Sequence, residues 1–425
     1  MALTTAHEAT AHAGTAHEAI AHEAIARAGA PPSIETNASW VAATVGLVIL
    51  TFYHAAPLLA PVALKPIATE LSTSRSVPAL ANSLAWLGSG VGAIAFGWIA
   101  ERVGIVATIV FGAVMIGAGL VWAASGGVTE LLLGYGLLIG VLGGGAINVP
   151  LIIYISRWFD RHRGSAVALV SSGQYIAGAL WPPLIAFGVQ EAGWRATLVL
   201  FGIATTLGII LAALVWLRPP PTSGSSADGN VNPAQGTAAG SRATFILLCL
   251  AGFLCCTPMA MPPGHLVAFC SDLGISPTRG AFMLSVLLGS AFVSRLFWGW
   301  LTDRVGGLYT ILAASICQAA ALLGFVFTQD EAGLFAVSAA FGLGFSGLIP
   351  AYVVALRAIF PANEASWRMP IWFFSNIIGM ALGGWLAGYV YDQLGTYGPA
   401  FALGVAFNVA NIVVIATLAR RHRFM

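Results

Sequence analysis

The sequence predicts an all-α membrane protein with twelve transmembrane helices, and three observations support this prediction. Of the 425 residues, 58% are hydrophobic and only 8% are charged, and the mean hydropathy is +0.87. A soluble domain normally carries about a quarter charged residues, because its surface faces water. The apolar residues also form about a dozen stretches of the ~20 residues that cross a bilayer as a helix. A single water-soluble globule is therefore excluded.

The polar interruptions divide these stretches into two groups of six. We expect spans 1 to 12 at approximately 40–63, 79–100, 105–124, 131–155, 165–189, 195–217, 244–269, 281–301, 308–328, 333–357, 367–390 and 398–419. The longest interruption follows span 6, where Arg218 precedes three prolines and a segment rich in Gly, Ser, Ala and Asn. We predict a six-helix bundle at 37–217, a cytoplasmic linker at 218–242, and a second bundle with a short tail at 243–425.

The first 36 residues form a biased tail that repeats the sequence Ala-His-Glu-Ala. This tail has no apolar core of a signal peptide, and we predict that it is disordered and cytoplasmic. Its histidines recur every five residues, a spacing that does not stack imidazoles on one helix face. The five cysteines lie in apolar stretches without paired spacing. We expect no metal ion and no cofactor.

The distribution of Lys and Arg predicts the orientation in the membrane. With both termini inside, thirteen arginines fall in the inside loops and tails: Arg27, Arg102, Arg157, Arg161, Arg163, Arg218, Arg242, Arg304, Arg357, Arg368, Arg420, Arg421 and Arg423. The outside loops then hold four basic residues: Lys65, Arg75, Arg195 and Arg279. The positive-inside rule therefore predicts a multi-pass protein of the cell (inner) membrane with cytoplasmic termini. The net charge of +2 is too small to indicate a nucleic-acid partner.

The two groups of six spans resemble each other. The sequence Gly-Trp-Ile-Ala-Glu-Arg-Val-Gly at 97–104 recurs as Gly-Trp-Leu-Thr-Asp-Arg-Val-Gly at 299–306, an offset of 202 residues. Pro150 and Arg157 of span 4 match Pro350 and Arg357 of span 10, at an offset of 200. Two matches at nearly one offset predict a duplicated, pseudo-symmetric six-helix unit.

The repeated octapeptide resembles the loop signature of the major facilitator superfamily. The resemblance implies the fold of that superfamily and a cytoplasmic gate. We expect the gate to contain three residues from each half: Glu101, Arg102, Arg157, Asp303, Arg304 and Arg357. Glu101 stands where the family usually has Asp, and the trailing basic pair of the signature is missing from both copies. These departures leave the fold prediction intact and weaken the predicted latch.

A narrower resemblance lies between spans 4 and 5. The sequence from Trp158 to Ala168 resembles the fifth-helix signature of the monocarboxylate transporters and the bacterial oxalate:formate antiporters. Ala168 and Ser172 replace the Gly and Ala of that pattern, and the first-helix signature keeps Trp40 but has Asn37 for its carboxylate. The resemblance implies a transporter with alternating access and a substrate site between the halves, near the bilayer midplane. Helix-interior prolines in spans 1, 4, 7 and 10 independently favour these spans as the cavity lining.

Arg295 is the one formally charged residue well inside a span. A cation in hydrocarbon costs at least ~2.5 kcal/mol, so we expect it to face a wet cavity and bind an anion. The alternative is a side chain that extends to the inner interface. Monocarboxylate and oxalate carriers are known for an eighth-helix Arg that meets the substrate carboxylate. Here, however, Ala291 stands where monocarboxylate carriers have Asp, and Leu58 stands where they have Lys.

Other polar residues at membrane depth are weaker candidates. His54 and His265 could carry a proton near neutral pH, and His54 is favoured because it precedes Pro57 in span 1. Four residues could hydrogen-bond a substrate: Asn148, Gln174, Tyr175 and Asn376. Packing between helices explains such residues equally well.

The sequence predicts a non-enzymatic protein, because it contains no catalytic or phosphate-loop motif. We expect a monomeric secondary transporter of a small organic anion in the lipid bilayer, and the resemblance implies that this anion is a carboxylate. Because the predicted spans contain no Asp or Glu for the usual proton route, transport would be driven by substrate exchange or by a proton carried on a histidine. Two alternatives stay open, an efflux carrier for amphipathic drugs and a membrane receptor without transport.

Overall fold

The computed structural model of the protein describes residues 33–218 and 241–422, which form α-helices joined by short connections and contain no strand. Residues 1–32 and 219–240, which include most of the predicted tail and linker, lie outside this part of the chain. The predicted all-α membrane fold is confirmed. Eleven helical segments in the described residues are long and apolar enough to cross a membrane.

One of these segments contains two crossings. Residues 163–216 are 54 residues long, which at the helical rise is ~80 Å and more than twice the ~30 Å bilayer core. The helix is broken at Gly193, whose φ of 78° and ψ of 163° suit a residue without Cβ. The break separates spans 5 and 6, so the described residues contain the twelve predicted spans.

The first half of the described chain comprises spans 1 to 6. Its helices are Asn37–Tyr53, Ala55–Val62 and Leu64–Glu70 (span 1 and its extension), Ser76–Val103 (span 2), Ile105–Ser125 (span 3), Val128–Leu133, Gly134–Gly144 and Gly145–Ser156 (span 4), and Arg163–Ser171 and Gly173–Trp216 (spans 5 and 6). We call it the N-half.

The second half comprises spans 7 to 12, and we call it the C-half. Its helices are Arg242–Asp272 (span 7), Pro277–Val305 (span 8), Gly307–Phe327 (span 9), Glu331–Phe345 and Leu348–Ile359 (span 10), Ala362–Leu394 (span 11) and Gly398–His422 (span 12). We call the side that carries Asn37, His422 and the loops after spans 2, 4, 8 and 10 the terminal face. The opposite side is the distal face.

Several spans that the sequence marks with proline or glycine have irregular helices. Span 1 is interrupted at His54 and Ala63, and span 4 contains eleven residues of π-helix at Gly134–Gly144. Span 7 stays one helix despite its three prolines. The glycines of span 4 contact span 2 closely, since a Cβ added to Gly145 would lie 2.6 Å from the Cα of Gly92. These glycines therefore serve the packing of spans 2 and 4.

The repeated octapeptides have the same local structure in both halves. The guanidinium of Arg102 lies 3.6 Å from the ring centroid of Trp98, and that of Arg304 lies 4.2 Å from the ring of Trp300. These pairs stand at equivalent positions of the two repeats, which supports the duplication inferred from the sequence.

The halves contact each other mainly through two pairs of spans, 2 with 11 and 5 with 8, and span 1 also contacts span 7. Small residues allow this approach: Gly90 faces the side chain of Ile377, and Gly178 faces that of Leu288. Tyr175 lies on span 5 and Arg295 on span 8, so both belong to one of these pairs of spans.

Candidate functional site

Arg295 of span 8 faces the N-half. Its guanidinium carbon lies 5.4 Å from the ring centroid of Tyr175 in span 5, within the range of a cation–π contact. Tyr175 is buried and also packs at 6.4 Å from the ring of Phe345 in span 10. Arg295 is half-buried, whereas its neighbours Phe292, Val293 and Leu296 are exposed on the lipid side of the span. The side chain is thus directed to the junction of the halves.

Arg295 has no carboxylate partner within residues 33–218 and 241–422, where the ion pairs involve other basic residues. Ala291, one turn earlier on span 8, is buried and supplies no charge. A cation at this depth is costly unless an anion or water reaches it. The position is therefore suited to an anionic ligand that pairs with the guanidinium beside the ring of Tyr175.

Polar contacts join the halves on the distal side. Arg75, just before span 2, donates two hydrogen bonds of 2.5 and 2.7 Å to the carboxylate of Asp272 at the end of span 7. Its guanidinium also stacks 3.8 Å from the ring centroid of Tyr391 and donates to the hydroxyl of Tyr397 at 3.3 Å. This bidentate pair is a strong, geometrically specific contact between spans 2, 7, 11 and 12.

A second carboxylate reinforces the same closure. Asp392 of span 11 accepts hydrogen bonds from the backbone N–H groups of Arg75 at 2.8 Å and Ser76 at 2.9 Å, which start span 2. Lys65 contributes a further ion pair to Asp272 at 3.2 Å. We call the set Lys65, Arg75, Asp272, Asp392 and Tyr397 the distal gate.

The terminal face differs from the distal face. Within the described ranges, no ion pair or side-chain hydrogen bond joins the halves there. The hydrogen bond between the halves from Ser83 to the carbonyl of Ala381 lies in the distal half of span 2. The halves are therefore fastened to each other on the distal side, and the junction is closed at that end.

A cavity of about 620 Å³ opens on the distal side, next to the gate. The rest of its lining is apolar, and its polar lining comes from six residues: Lys65, Thr69, Glu70, Gln190, Ser271 and Ser276. Arg295 is not among its lining residues, so this cavity is separate from the predicted anion site.

The six predicted gating residues lie on the terminal face. Glu101 forms an ion pair of 2.8 Å with Arg157, which belongs to the same half, and both side chains are about half exposed. An exposed pair of this kind contributes at most about 1 kcal/mol. Asp303 and Arg357, the equivalent residues of the C-half, are exposed and do not pair in the described structure. Arg102 and Arg304 contact the tryptophans of their own loops.

His54 lies at the first break in span 1. Its Nδ1 is 2.8 Å from the carbonyl of Leu50, and its Nε2 is buried with no hydrogen-bond partner in the described structure. The ring of Trp86 in span 2 is 6.1 Å away. His54 is thus enclosed within the N-half, and one ring nitrogen has no acceptor or donor there.

The predicted amides lie in different places. Asn376 is buried against Gly252 of span 7, and both atoms of its amide have no partner in the described structure. Asn148 and Gln174 are half-buried in spans 4 and 5. Of the six predicted substrate contacts, Arg295 and Tyr175 are brought together, and Gln174 is the sequence neighbour of Tyr175.

Sequence reasoning missed the distal gate. The sequence indicated Lys65 and Arg75 only as basic residues of outside loops. It did not single out Asp272, Asp392 or Tyr397. One signal was available: Glu70 and Asp272 follow spans 1 and 7 at the offset of 202 seen in the repeat. Both are acidic residues that pair with an arginine on the distal side.

Arg368 was also missed, because it was counted as a residue of an inside loop. It is buried near the start of span 11, 2.7 Å from Glu364. Its guanidinium is surrounded by the rings of Phe360 at 4.0 Å, Trp367 at 5.0 Å and Phe245 at 5.1 Å. Glu364 supplies the opposite charge, and Nε and Nη1 of Arg368 are buried without a hydrogen-bond partner in the described structure.

The junction of spans 4 and 5 is held by Glu35, just before span 1. The carboxylate of Glu35 accepts hydrogen bonds from the backbone N–H groups of Asp160 at 3.1 Å, Arg161 at 2.5 Å and His162 at 2.6 Å. Desolvation raises the pKa of Glu35, but the hydrogen bonds from the His162 side chain and from this backbone outweigh it, and the pKa is lowered. The segment before span 1 thus orders the loop that carries the fifth-helix signature.

Comparison with known proteins assigns the family. A family model described as Major Facilitator Superfamily matches residues 41–328 and 248–424. Monocarboxylate transporter 13 of Bos taurus is 29% identical over 319 residues, which cover 73% of this chain and 72% of that protein. An MFS-type transporter of Bacillus subtilis (strain 168) is 24% identical over 361 residues, 82% of this chain and 87% of the relative.

The fold is also that of solved transporters. A bacterial homologue of the human lysosomal transporter Spinster has a TM-score of 0.67 at 17% identity, and the match covers 91% of this chain and 96% of that structure. The chain belongs to the Major Facilitator Superfamily. It is a secondary transporter of this type and is related to the monocarboxylate transporters.

Proposed function

We propose that the protein carries a small organic anion, a carboxylate, across the membrane by alternating access. The observation that carries this proposal is the position of Arg295, whose guanidinium faces Tyr175 of the other half and has no carboxylate partner in the described structure. Arg presents a planar fork of N–H donors that matches a carboxylate in bidentate fashion. A substrate carboxylate supplies the charge that Ala291 does not.

The relatives support the same substrate class. Two mammalian relatives carry the name monocarboxylate transporter 13, at 28 and 29% identity. Arg295 in span 8 is the residue of this chain that would bind the carboxylate of such a substrate. Tyr175 lies beside this arginine and packs on Phe345, and these two rings suit a substrate with an apolar body.

The proposed cycle uses the two halves as units. Residues 37–217 and 243–425 form the two bundles, and residues 218–242 are the cytoplasmic linker between them. The terminal face is cytoplasmic in the cell membrane, as the thirteen-to-four bias of basic residues favours. Separation at the distal gate then admits substrate from outside, and separation on the terminal face, at the level of Glu101 and Asp303, releases it inside.

The first experiment is uptake into proteoliposomes of purified protein. The labelled compounds are an aliphatic monocarboxylate, a dicarboxylate, an aromatic acid and a lipophilic cationic dye. We expect saturable uptake of at least one carboxylate by the wild type, and its loss in Arg295→Ala. The matched control is Arg279→Ala, which removes an exposed distal arginine paired with Glu331 and should leave the uptake intact.

Each other result contradicts the proposal. Carboxylate uptake by Arg295→Ala at the wild-type rate would remove Arg295 from the site. Transport of the dye without any carboxylate would favour an efflux carrier for amphipathic compounds. Saturable binding of a ligand without transport of any compound would favour a receptor.

A further inference from the structure

His265 of span 7 is completely buried and makes two hydrogen bonds. Its Nε2 lies 2.7 Å from the carbonyl oxygen of Gly384 in span 11, and its Nδ1 lies 3.2 Å from the hydroxyl of Tyr397 at the start of span 12. A carbonyl oxygen only accepts, so Nε2 carries the hydrogen of the neutral ring. Nδ1 is then an acceptor, and the hydroxyl of Tyr397 donates to it.

The same hydroxyl connects His265 to the distal gate. Arg75 donates to the oxygen of Tyr397 at 3.3 Å while it holds Asp272 with two shorter hydrogen bonds. Tyr397 thus accepts from Arg75 and donates to His265. A single hydroxyl separates a titratable ring from the guanidinium that fastens the two halves together.

The charged groups around this ring are committed to other partners. From span 7 itself, Asp272 is two turns away and is bound by Arg75 and Lys65. From span 11, Asp392 is bound to the backbone at the start of span 2, and Tyr391 stacks on Arg75. From span 2, Arg75 is the nearest cation, and Asn82 is a neutral neighbour. None of the carboxylates contacts the ring, so a second positive charge there would face Arg75.

The ring also borders a narrow space between the halves. This space is lined by residues of spans 1, 2, 7 and 11: Pro61, Leu64, Ala79, Asn82, Gly264, His265 and Gly384. Separation of the distal gate would therefore open the ring to the distal solution, whereas the closed gate buries it.

We propose that His265 is the proton-binding residue of the distal gate, and that its protonation opens the gate. A proton on Nδ1 turns this atom into a donor, and the oxygen of Tyr397 then faces two cationic donors, His265 and Arg75. The hydroxyl hydrogen loses its acceptor, and the repulsion weakens the hold of Arg75 on Asp272. Acid on the distal side thus keeps the carrier open to that side, and the neutral ring allows it to close. The inference rests on the proposed alternating access and adds its regulation by pH.

The test measures the distal opening directly, without substrate. Spin labels are placed on cysteines at Glu191 and Gln329, exposed distal residues of the N-half and the C-half, after the five native cysteines are replaced by alanine. Double electron–electron resonance then gives the distances in lipid nanodiscs from pH 4 to pH 8. We expect a shift of population from short to long distances as the pH falls.

Two variants and one control locate the response. His265→Gln keeps a donor for Gly384 and an acceptor for Tyr397, so it should stay at short distances at every pH. Tyr397→Phe removes the link and should lose the pH response although His265 remains. His162→Gln, which changes an exposed histidine on the terminal face, should keep the wild-type response.

The outcomes separate this inference from the proposed function. A pH response that persists in His265→Gln, or a wild type whose distances do not change with pH, would overturn the gate assignment. If the wild type opens at low pH but transports no carboxylate, the gate assignment would stand and the proposed substrate would be wrong. If the protein takes up carboxylate but the spin-label distances do not change with pH, only the assignment of His265 to the gate would be wrong.

Discussion

The guanidinium carbon of Arg295 lies 5.4 Å from the ring centroid of Tyr175, although the two residues belong to different halves of the molecule. The contact joins spans 5 and 8, which Gly178 and Leu288 also bring together. A ligand that binds Arg295 therefore touches the surface along which the halves must move. This geometry gives substrate binding a direct means to bias the two states of the carrier, because a ligand shifts a conformational equilibrium only through contacts that differ between the states.

Substitution of Arg295 tests this contact. We expect Arg295→Lys to retain less than a tenth of transport and Arg295→Ala almost none, while both proteins fold. Lys is a point charge on a differently shaped stem, whereas Arg offers a planar fork to a carboxylate. The measurement is initial uptake in proteoliposomes, with size-exclusion chromatography to check folding. Equal transport by the lysine variant would show that charge alone is sufficient.

The partner residue gives a separate prediction. Tyr175→Phe keeps the aromatic face over which the guanidinium lies, and it should retain most of the transport. Tyr175→Leu removes the ring and should raise the KM for substrate several-fold, since Arg295 loses its support. If the two variants have the same KM, the ring does not position Arg295. The substrate affinity would then depend on other contacts.

The distal loops of the N-half provide a prediction for stability against pH. The guanidinium of Arg195 donates to the carboxylate of Glu70 at 2.6 Å, and the indole of Trp194 donates to it at 2.5 Å. The hydrogen bond from Arg195 lowers the pKa of Glu70, although desolvation opposes it. Because the pKa is lower in the folded state, the pair stabilises the fold above the ordinary pKa of a glutamate. This contribution disappears as the pH falls through the lowered value.

The corresponding measurement compares wild type with Glu70→Gln by thermal unfolding in detergent. At pH 7 the wild type should have the higher Tm, and the difference should shrink below about pH 4.5, near the ordinary pKa of Glu. Glu191→Gln changes an exposed acidic residue at the same face and should show no such trend. A Tm difference that stays constant down to pH 3 would contradict a titrating Glu70.

The orientation in the membrane can be tested with single cysteines. The bias of basic residues predicts that the distal face is outside and that the linker is cytoplasmic. A membrane-impermeant maleimide added to intact cells should modify Ser276→Cys at the start of span 8 and spare Ser225→Cys in the linker. The background lacks the five native cysteines. The reverse labelling pattern would invert the topology.

The sequence was sufficient to predict the spans and to single out Arg295 as a candidate, because both depend on local properties. Apolar length defines a span wherever it lies, and a lone arginine in hydrocarbon is conspicuous without knowledge of its neighbours. The distal gate could not be predicted in this way. Arg75 and Asp272 are 197 positions apart and lie at span ends, where single charges are ordinary. Only the packing of the halves brings them together.

The same argument explains why helix interruptions were predicted in part. Pro57 and Pro61 marked span 1 as irregular, and the helix is indeed broken there. The π-helix of span 4 has no comparable signal in the sequence, because Gly134–Gly144 is also a good packing surface for an ordinary α-helix. Its geometry depends on close contact with span 2, where Gly88 and Gly92 admit the backbone of span 4.

The two buried histidines, His54 and His265, lead to different predictions for the coupling of transport to proton movement. Neither span 1 around His54 nor span 8 around Arg295 contains an Asp or Glu. No carboxylate at these positions can therefore be alternately protonated. A proton can then move with a histidine or with the substrate. The Nε2 of His54 is buried without a partner in the described structure. This nitrogen is therefore free to accept a proton when water reaches it. His265, in contrast, has both nitrogens bonded within the distal gate.

We therefore expect His54→Gln to abolish the uptake that a pH gradient drives between about pH 5.5 and 7.5, the range around the ordinary pKa of His, while the pH response of the distal gate remains. The measurement is net uptake and counterflow in proteoliposomes, with and without an imposed pH gradient, for the wild type and His54→Gln. Counterflow should survive in the variant, because exchange needs no net proton movement, whereas gradient-driven uptake should fall to the level seen without a gradient. Gradient-driven uptake at the wild-type rate in His54→Gln would exclude His54 as the coupling group. Counterflow without any net uptake in the wild type would instead indicate an exchanger, in which the substrate itself carries the balancing charge.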